Sequence, residues 1–547
     1  MTSSARQHAM RAYRDLHEHL DVLKREGLLH VIDAPVNKDT DMHPLVRWQF
    51  RGGIPESERK AFLFKNVVDS RGRSYSIPVV VGALAANPRI YALGMGCEVS
   101  AIGDKWSRAI ASPIPPRIVA VAPCQEVVIS GGELRGDGNG LDALPIPIST
   151  PGFDVAPYIT AGLWISRDPD DGVQNMGMYR GQLKAPDRLG VMMLRSLSAG
   201  GYFHWKKYRA RGEKMPVAVA LGAPPVVTFA GPQKLKVGVD ELGVAGGLAG
   251  GPINVVRAKT SDLLVPAEAE VVIEGRIDTR ELEPEGPFGE SHGYVALEEY
   301  NMIVEITAIT RRRNPVIPSI ISQVTPSESS VIKRVAYEPM YLSHLREVLG
   351  VSGVVRVALH EPLTNLRRVV FVQFERGVAK TEIWRALYGA AALMPAVGKY
   401  VIAINEDIDP DNGDAVFWAL GYRANPELDV QILKHRARGH GPVLKGAESD
   451  ATMLIDATLK GDMPPVALPG REHMESAKAL WDKLGLPPLK PESPWHGYSL
   501  GEWSETWESY ARRAIDGEYQ ENGRISWRLK REIEEPQTPV DRPEDDK

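Results

Sequence analysis

Between Val121 and Gln323 the chain is dense in short β-forming runs, and beyond Ser330 it turns to alternating strands and helices. No other feature constrains the fold as strongly, because each pattern buries its apolar face in a different way. The pieces "APYITAGLWIS", "PVAVALG", "AEAEVVIEGRI", "NMIVEITAIT" and "PVIPSIIS" predict a barrel or sandwich. Downstream, 330–351 reads as helix, "VVRVALH" and "RRVVFVQFE" as strands, "AKTEIWRALYGAAALM" as helix and "KYVIAINEDI" as a strand, which predicts a layered α/β domain. Upstream, Leu16, Leu20, Leu23 and Leu28 fall at helical spacing before the strand-like "HVIDAPV", and "SIPVVVGAL" reads as a buried strand. A chain of 547 residues exceeds one core, since cores stop growing at roughly 250–300 residues. The expected organisation is an α+β multidomain chain. An α/β domain spans 1–120, a β domain 121–328, an α/β domain 329–465, and a helical, Pro- and Trp-rich tail 466–547. The tail carries Trp481, Trp495, Trp503, Trp507 and Trp527, and is expected to pack on the body or on a neighbouring subunit.

Charge and cysteine content narrow the function classes. A net charge of −5 with 25% charged residues describes an ordinary globular surface and argues against an electrostatic nucleic-acid binder. The run Arg311-Arg312-Arg313 reads as a solvated strand end. Only Cys97 and Cys124 are present, with no CxxC, which argues against a disulfide framework or structural zinc and fits a reducing cytoplasm. No stretch approaches the ~18 apolar residues of a membrane span, and the first residues lack an apolar signal core.

Three glycine- or acid-rich stretches imitate ligand loops. "GDGNG" (136–140) resembles part of a thiamine diphosphate motif but lacks the later Asn-Asn, so it reads as a turn. "GVAGGLAGG" (243–251) matches neither phosphate-loop spacing and supports only flexible backbone near a ligand. "DIDPDNGD" lacks the Glu at position 12 of a calcium loop and reads as a helix N-cap.

"EGPFGESHGYV" (285–295) is different in kind. It sets Glu285 and Glu290 around Gly-Pro-Phe-Gly, where Pro287 fixes its own φ, two glycines permit close approach and Phe288 can bury itself. Two acids so held near a cation take different pKa values, so that one stays ionised while the other delivers a proton. A cofactor-free hydrolase using Glu285 and Glu290 as an acid/base pair is one reading of such a turn.

The chain resembles the UbiD family of prenylated-flavin-dependent decarboxylases. The resemblance rests on "LDVLKREGLLHVIDAPV", "APCQEVVISGGEL", "LPIPISTPGFDVAPYIT", "VQNMGMYRGQL", "PVAVALGAPP", "DELGVAGGLAG", "VPAEAEVVIEGRI", "EGPFGESHGYV" and "KYVIAINEDIDPDN", in shared order. It implies a central split β-barrel that binds prenylated FMN, and an Arg180, Glu285, Glu290 triad with Glu290 as proton donor. It implies cofactor contacts from Asn175, Met178, Arg180, Glu241 and Lys399. It also implies a divalent metal, usually manganese, on Asn175 and Glu241, with a monovalent cation such as K+ nearby. The family's metal-binding histidine is missing from "LRSLSAGGYFHW", where Ser198 and Ala199 precede Gly200, and His204 is the substitute.

Further implications are an aromatic or heteroaromatic acid as substrate, a reaction able to run in either direction, a flavin prenyltransferase as cofactor supplier, and a homodimer or larger homo-oligomer. A flavin-binding assembly paralogue without turnover is the alternative within the family. Residues 322–329 and the helix around Leu393 are expected to line the substrate pocket. Strand alternation puts Asn175 and Arg180 on opposite faces, so a twist or bulge is expected between them.

Overall fold

The computed structural model describes residues 11–193, 200–233, 235, 238–438, 449–461, 467–489 and 504–530. Helix Leu16–Arg25 buries Leu16, Leu20 and Leu23, and its start is closed by a capping box in which Asp15 accepts from Glu18 N while Glu18 reaches back. It leads into a four-stranded sheet of Leu29–Ile32, Ala61–Phe64, Val79–Val81 and Ile317–Ser319. The last strand arrives from the far end of the β-rich segment and runs parallel to Val79–Val81, so the N-terminal sheet is completed by the chain leaving the central one.

That central sheet has nine strands. Its spine is the antiparallel pair Val271–Glu285 and Glu299–Arg311, with register shifts at Glu274/Gly275 and Ile277/Leu282. The order from one end is Gln174–Met178, Leu163–Arg167, Met215–Leu221, the two spine strands, Arg188–Val191, Gly181–Ala185 and Tyr158–Ile159, with Val127–Ser130 also paired to Glu299–Arg311. Among the described residues the ladder does not close into a barrel. Alternate residues feed different cores: Leu163, Ile165, Ala218 and Ala220 join one apolar cluster, while Trp164, Val217 and Val219 join the other. Burial on both faces explains why these strands read as continuous apolar runs.

The C-terminal α/β layer is a five-stranded sheet ordered Val354–Leu359, Val369–Phe374, Tyr400–Asn405, Asp450–Asp456, Val430–Arg436. The helix expected over 330–351 is observed as Glu328–Ser343 followed by a π-helical turn, His344–Val348. Asn412 caps helix Gly413–Arg423 by accepting from Asp414 N and Ala415 N, as the helix-cap reading requires. Gly136, Gly138 and Gly140 all take positive φ, consistent with a turn.

Two sequence expectations are corrected. "GVAGGLAGG" is not loose backbone: Glu241–Ala249 is a helix, and Gly246 and Gly247 let it lie against Ile114 and Ala109, where a methyl group would overlap main-chain atoms. Arg312 is not solvated either; it donates to Asp15 at 3.1 Å and to the Glu268 carbonyl at 2.9 Å, because the N-terminal segment folds over it. In the tail, helices Arg471–Lys483, Glu505–Ile515 and Tyr519–Arg528 bury no residue fully. Trp495 and Trp503 lie outside the described residues. Among the described residues no helix is long and apolar enough to cross a membrane.

Candidate active site

Arg180 lies just beyond the strand Gln174–Met178, in the break before Gly181–Ala185. The ladder from Leu163↔Met178 to Arg167↔Gln174 is unbroken, so the change of direction comes from strand termination at Tyr179 and not from a bulge. The Tyr179 carbonyl accepts from Trp164 Nε1 at 2.8 Å, which fixes the break. Glu285 ends a spine strand. Arg180 Nε and Nη2 reach its two carboxylate oxygens at 2.9 and 2.6 Å, and Nη1 reaches Glu290 Oε1 at 2.8 Å. One guanidinium therefore holds both acids.

The turn between the acids explains its composition. Gly286 has φ of 97°, a conformation that favours glycine. The Phe288 ring lies 5.1 Å beneath the Arg180 guanidinium carbon and 4.3 Å from the ring of Tyr158. Gly289 donates to Asp154 Oδ1 at 2.8 Å, and a methyl group on it would overlap Thr150 Oγ1. Burial together with the charge of Glu285 pushes the Tyr158 phenol upward. The two acids differ in access: the Glu285 side chain is 0% exposed and that of Glu290 18%.

A second polar cluster forms around Asn175, five residues before Arg180. Asn175 is cross-strand from Ser166 and abuts Gly200, leaving no room for a methyl group there. Its Nδ2 is buried without a hydrogen-bond partner among the described residues. Glu241, first residue of its helix, accepts from Met176 N at 3.0 Å, and burial pushes its carboxyl up to about 7. The Tyr179 phenol is pushed up to about 12, by burial first and then by the charge of Glu241. A buried carboxylate and a buried amide beside it offer hard oxygen donors to a divalent cation.

His204, the expected substitute ligand, makes its polar contacts with Ser166 and Asp168. Its Nδ1 bonds Ser166 Oγ at 2.9 Å and its Nε2 faces Asp168 at 3.9 Å, because helix Gly200–Arg211 turns the ring toward the strand edge. Among the described residues no three His, Cys, Asp or Glu side chains gather as metal ligands. Ser198 and Ala199 lie outside the described residues.

Met178 closes its strand and packs against the larger core, as does Leu393 at the end of helix Lys380–Leu393. Lys399 pairs with Asp450 at 3.0 Å, and Arg368 approaches the same carboxylate at 3.6 Å. Residues 322–329 form a link in which Thr325 Oγ1 donates to the Glu361 carbonyl at 2.6 Å and Ser327 caps the following helix. Sequence reasoning missed Tyr158, Asp154, Thr150 and His292. His292 is half-buried near Glu290, Arg180, Arg367 and Arg368, and partial burial above all holds its imidazole below the usual range. Only its place two residues after Glu290 could have signalled it.

Comparison with known proteins agrees with this arrangement. Residues 20–110, 117–324 and 330–457 match the N-terminal, Rift-related and C-terminal domains of 3-octaprenyl-4-hydroxybenzoate carboxy-lyase. An evolved dimeric form of the UbiD-class enzyme HmfF from Pelotomaculum thermopropionicum, solved with prFMN, is 31% identical with a TM-score of 0.72, covering 85% of this chain and 99% of its own. Vanillic acid decarboxylase from Sedimentibacter hydroxybenzoicus in its closed form is 26% identical with a TM-score of 0.71, over 86% of this chain and 99% of its own. An uncharacterized Aquifex aeolicus protein is 30% identical over 517 residues, 87% of this chain and 99% of that protein. The chain belongs to the UbiD family of carboxy-lyases.

Proposed function

We propose that this protein removes CO2 from an aromatic or heteroaromatic carboxylic acid with the help of prenylated FMN, with Glu290 donating the proton. The observation that carries the reading is the single guanidinium shared by two glutamates of unequal access. Prenylated FMN, when bound, supplies the electron sink that no side chain offers for the pair left on carbon. Glu285, buried and held by two bonds, keeps Arg180 in place. Arg180 Nη1 exchanges Glu290 for the substrate carboxylate, whose planar geometry matches the fork. Glu290, released at the exposed rim, takes a proton from solvent and gives it to the product carbon; the reverse sequence serves carboxylation. Phe288 stacks under Arg180 and keeps water from its lower face.

Asn175 and Glu241 would hold a divalent metal, manganese by family likeness, against the cofactor phosphate, with a monovalent cation such as K+ beside it. The buried Glu241 carboxyl, which no cation compensates among the described residues, fits that role, and the unpartnered Asn175 Nδ2 suits donation to the phosphate. Met178 and Lys399 would contact the cofactor, Lys399 exchanging Asp450 for phosphate. The two cysteines are free, consistent with action in the cytoplasm beside a flavin prenyltransferase. A homodimer or larger homo-oligomer would give the tail helices a partner. The hydrolase reading is disfavoured because the guanidinium lies between the two acids, where a bond to be cleaved would have to sit.

The test is co-expression with and without a flavin prenyltransferase, followed by CO2 release from a panel of aromatic acids in D2O. Flavin absorbance, turnover and deuterium in the product are expected only with the prenyltransferase. Glu290→Gln should keep the flavin and lose deuterium incorporation, and unimpaired incorporation would remove Glu290 from the role.

A further inference from the structure

A cavity of about 360 Å³ lies on the N-terminal side of the Glu285–Glu290 turn, between helix Met42–Arg51, the Ser149–Thr150 segment and Gln323. Its size is that of small-molecule sites, which run from roughly 300 to 1,000 Å³. Arg47 and Arg51 both line it, one helical turn apart. Each donates only to neutral carbonyls, Arg47 to Val324 and Pro326, Arg51 to Thr325, and neither has a carboxylate partner among the described residues. Burial first, and then repulsion from the adjacent Arg51 guanidinium, push Arg47 down to about 10.

The remaining lining points the same way. Ser149 lines the same cavity and is 4% exposed, and its buried hydroxyl has no hydrogen-bond partner among the described residues. A buried donor of this kind is costly unless something accepts from it. Trp48, 71% exposed, presents its indole at the mouth as a flat apolar wall.

We propose that this cavity is an anion site, distinct from Arg180, that receives a carboxylate or phosphate group carried on a planar apolar body. Arg47, Arg51 and the Ser149 hydroxyl take the anion, and Trp48 stacks on the body. The site shares walls with the turn: Thr150 abuts Gly289, and Val324, whose carbonyl Arg47 holds, abuts Gly293. The anion belongs either to the far end of the substrate or to a separate effector.

The full chain without flavin is titrated calorimetrically with benzene-1,3-dicarboxylate and, separately, with inorganic phosphate. Saturable binding of the diacid is expected, weakened roughly tenfold by Arg51→Gln and by Ser149→Ala to a smaller degree, with phosphate competing. Arg51 is exposed and its substitution leaves the fold intact, which matching unfolding midpoints verify. Absence of binding for both probes at millimolar concentration, or equal affinity in wild type and Arg51→Gln, overturns the proposal. The source is then read in the flavin-loaded protein. A KM raised by Arg51→Gln for diacids and not for monoacids places the anion on the substrate. A phosphate-dependent change in rate that is lost in Arg51→Gln places it on an effector.

Discussion

Arg180 grips Glu285 through two parallel hydrogen bonds, and the carboxylate it grips is fully buried. The same guanidinium also bonds the third member, Glu290, at 2.8 Å. Removing the cation alone strands a charge away from water, which typically costs about 3–5 kcal/mol. Arg180→Ala is therefore expected to lower stability by an amount of that order, and Arg180→Ala/Glu285→Gln to recover part of it. Denaturant unfolding of the two singles and the double gives the coupling. Additive losses would mean that the pair does not act as a unit.

Gly200 tests the neighbouring cluster without touching its polar groups. A methyl group there would overlap Asn175 Oδ1, so Gly200→Ala should displace the amide from its present position. The expected result is the phenotype of Asn175→Ala, with lower flavin occupancy and loss of any manganese-dependent rise in melting temperature. Normal occupancy in both variants would count against an ion held by Asn175.

Much of this was legible in the sequence because it depends on local spacing. The α/β pattern after residue 330, the Asn412 cap and the five-residue gap between Glu285 and Glu290 are read from neighbours in the chain, and the structure shows the two acids converging on Arg180. What escaped depends on partners far apart. Arg312 is buried by Asp15, almost 300 positions away, so its run of three arginines misled. The helix Glu241–Ala249 looked like loop because its glycines serve packing against Ala109 and Ile114 rather than conformational freedom. Asp154 and Thr150 support the Glu285–Glu290 turn from a segment with no charge pattern of its own.

Glu328 predicts a pH dependence. Its carboxylate accepts from Gly82 N, Leu84 N and Ala85 N at 3.0–3.3 Å and ties the C-terminal layer to the N-terminal one, while burial pushes its carboxyl from 4.5 up to about 7. Between those values the folded chain holds a proton that the unfolded chain has released, so stability from this group falls as pH rises through that window. Glu338 and Glu241, also pushed up to about 7, act with the same sign. Glu328→Gln should flatten the decline in urea midpoint between pH 5 and pH 7 without abolishing it. An unchanged slope would mean that Glu328 stays ionised in the folded protein.

Gly289 tests whether the turn aims Glu290. Its N–H is held by Asp154, and its α-carbon faces Thr150 so closely that any side chain must displace one or the other. Gly289→Ala is expected to cost about 1–3 kcal/mol through overpacking. Because misplacing a reacting group by an ångström can cost on the order of 100-fold, turnover should fall far more than stability accounts for. Flavin binding, read from absorbance, should be unaffected because the cofactor contacts proposed for Asn175, Glu241 and Lys399 lie elsewhere. Pairing the change with Thr150→Gly removes the atoms that the new methyl group meets and should restore part of kcat. A double variant no faster than the single would show that Gly289 matters for reasons other than the approach of Thr150, and would weaken the assignment of the turn as the element that positions the proton donor.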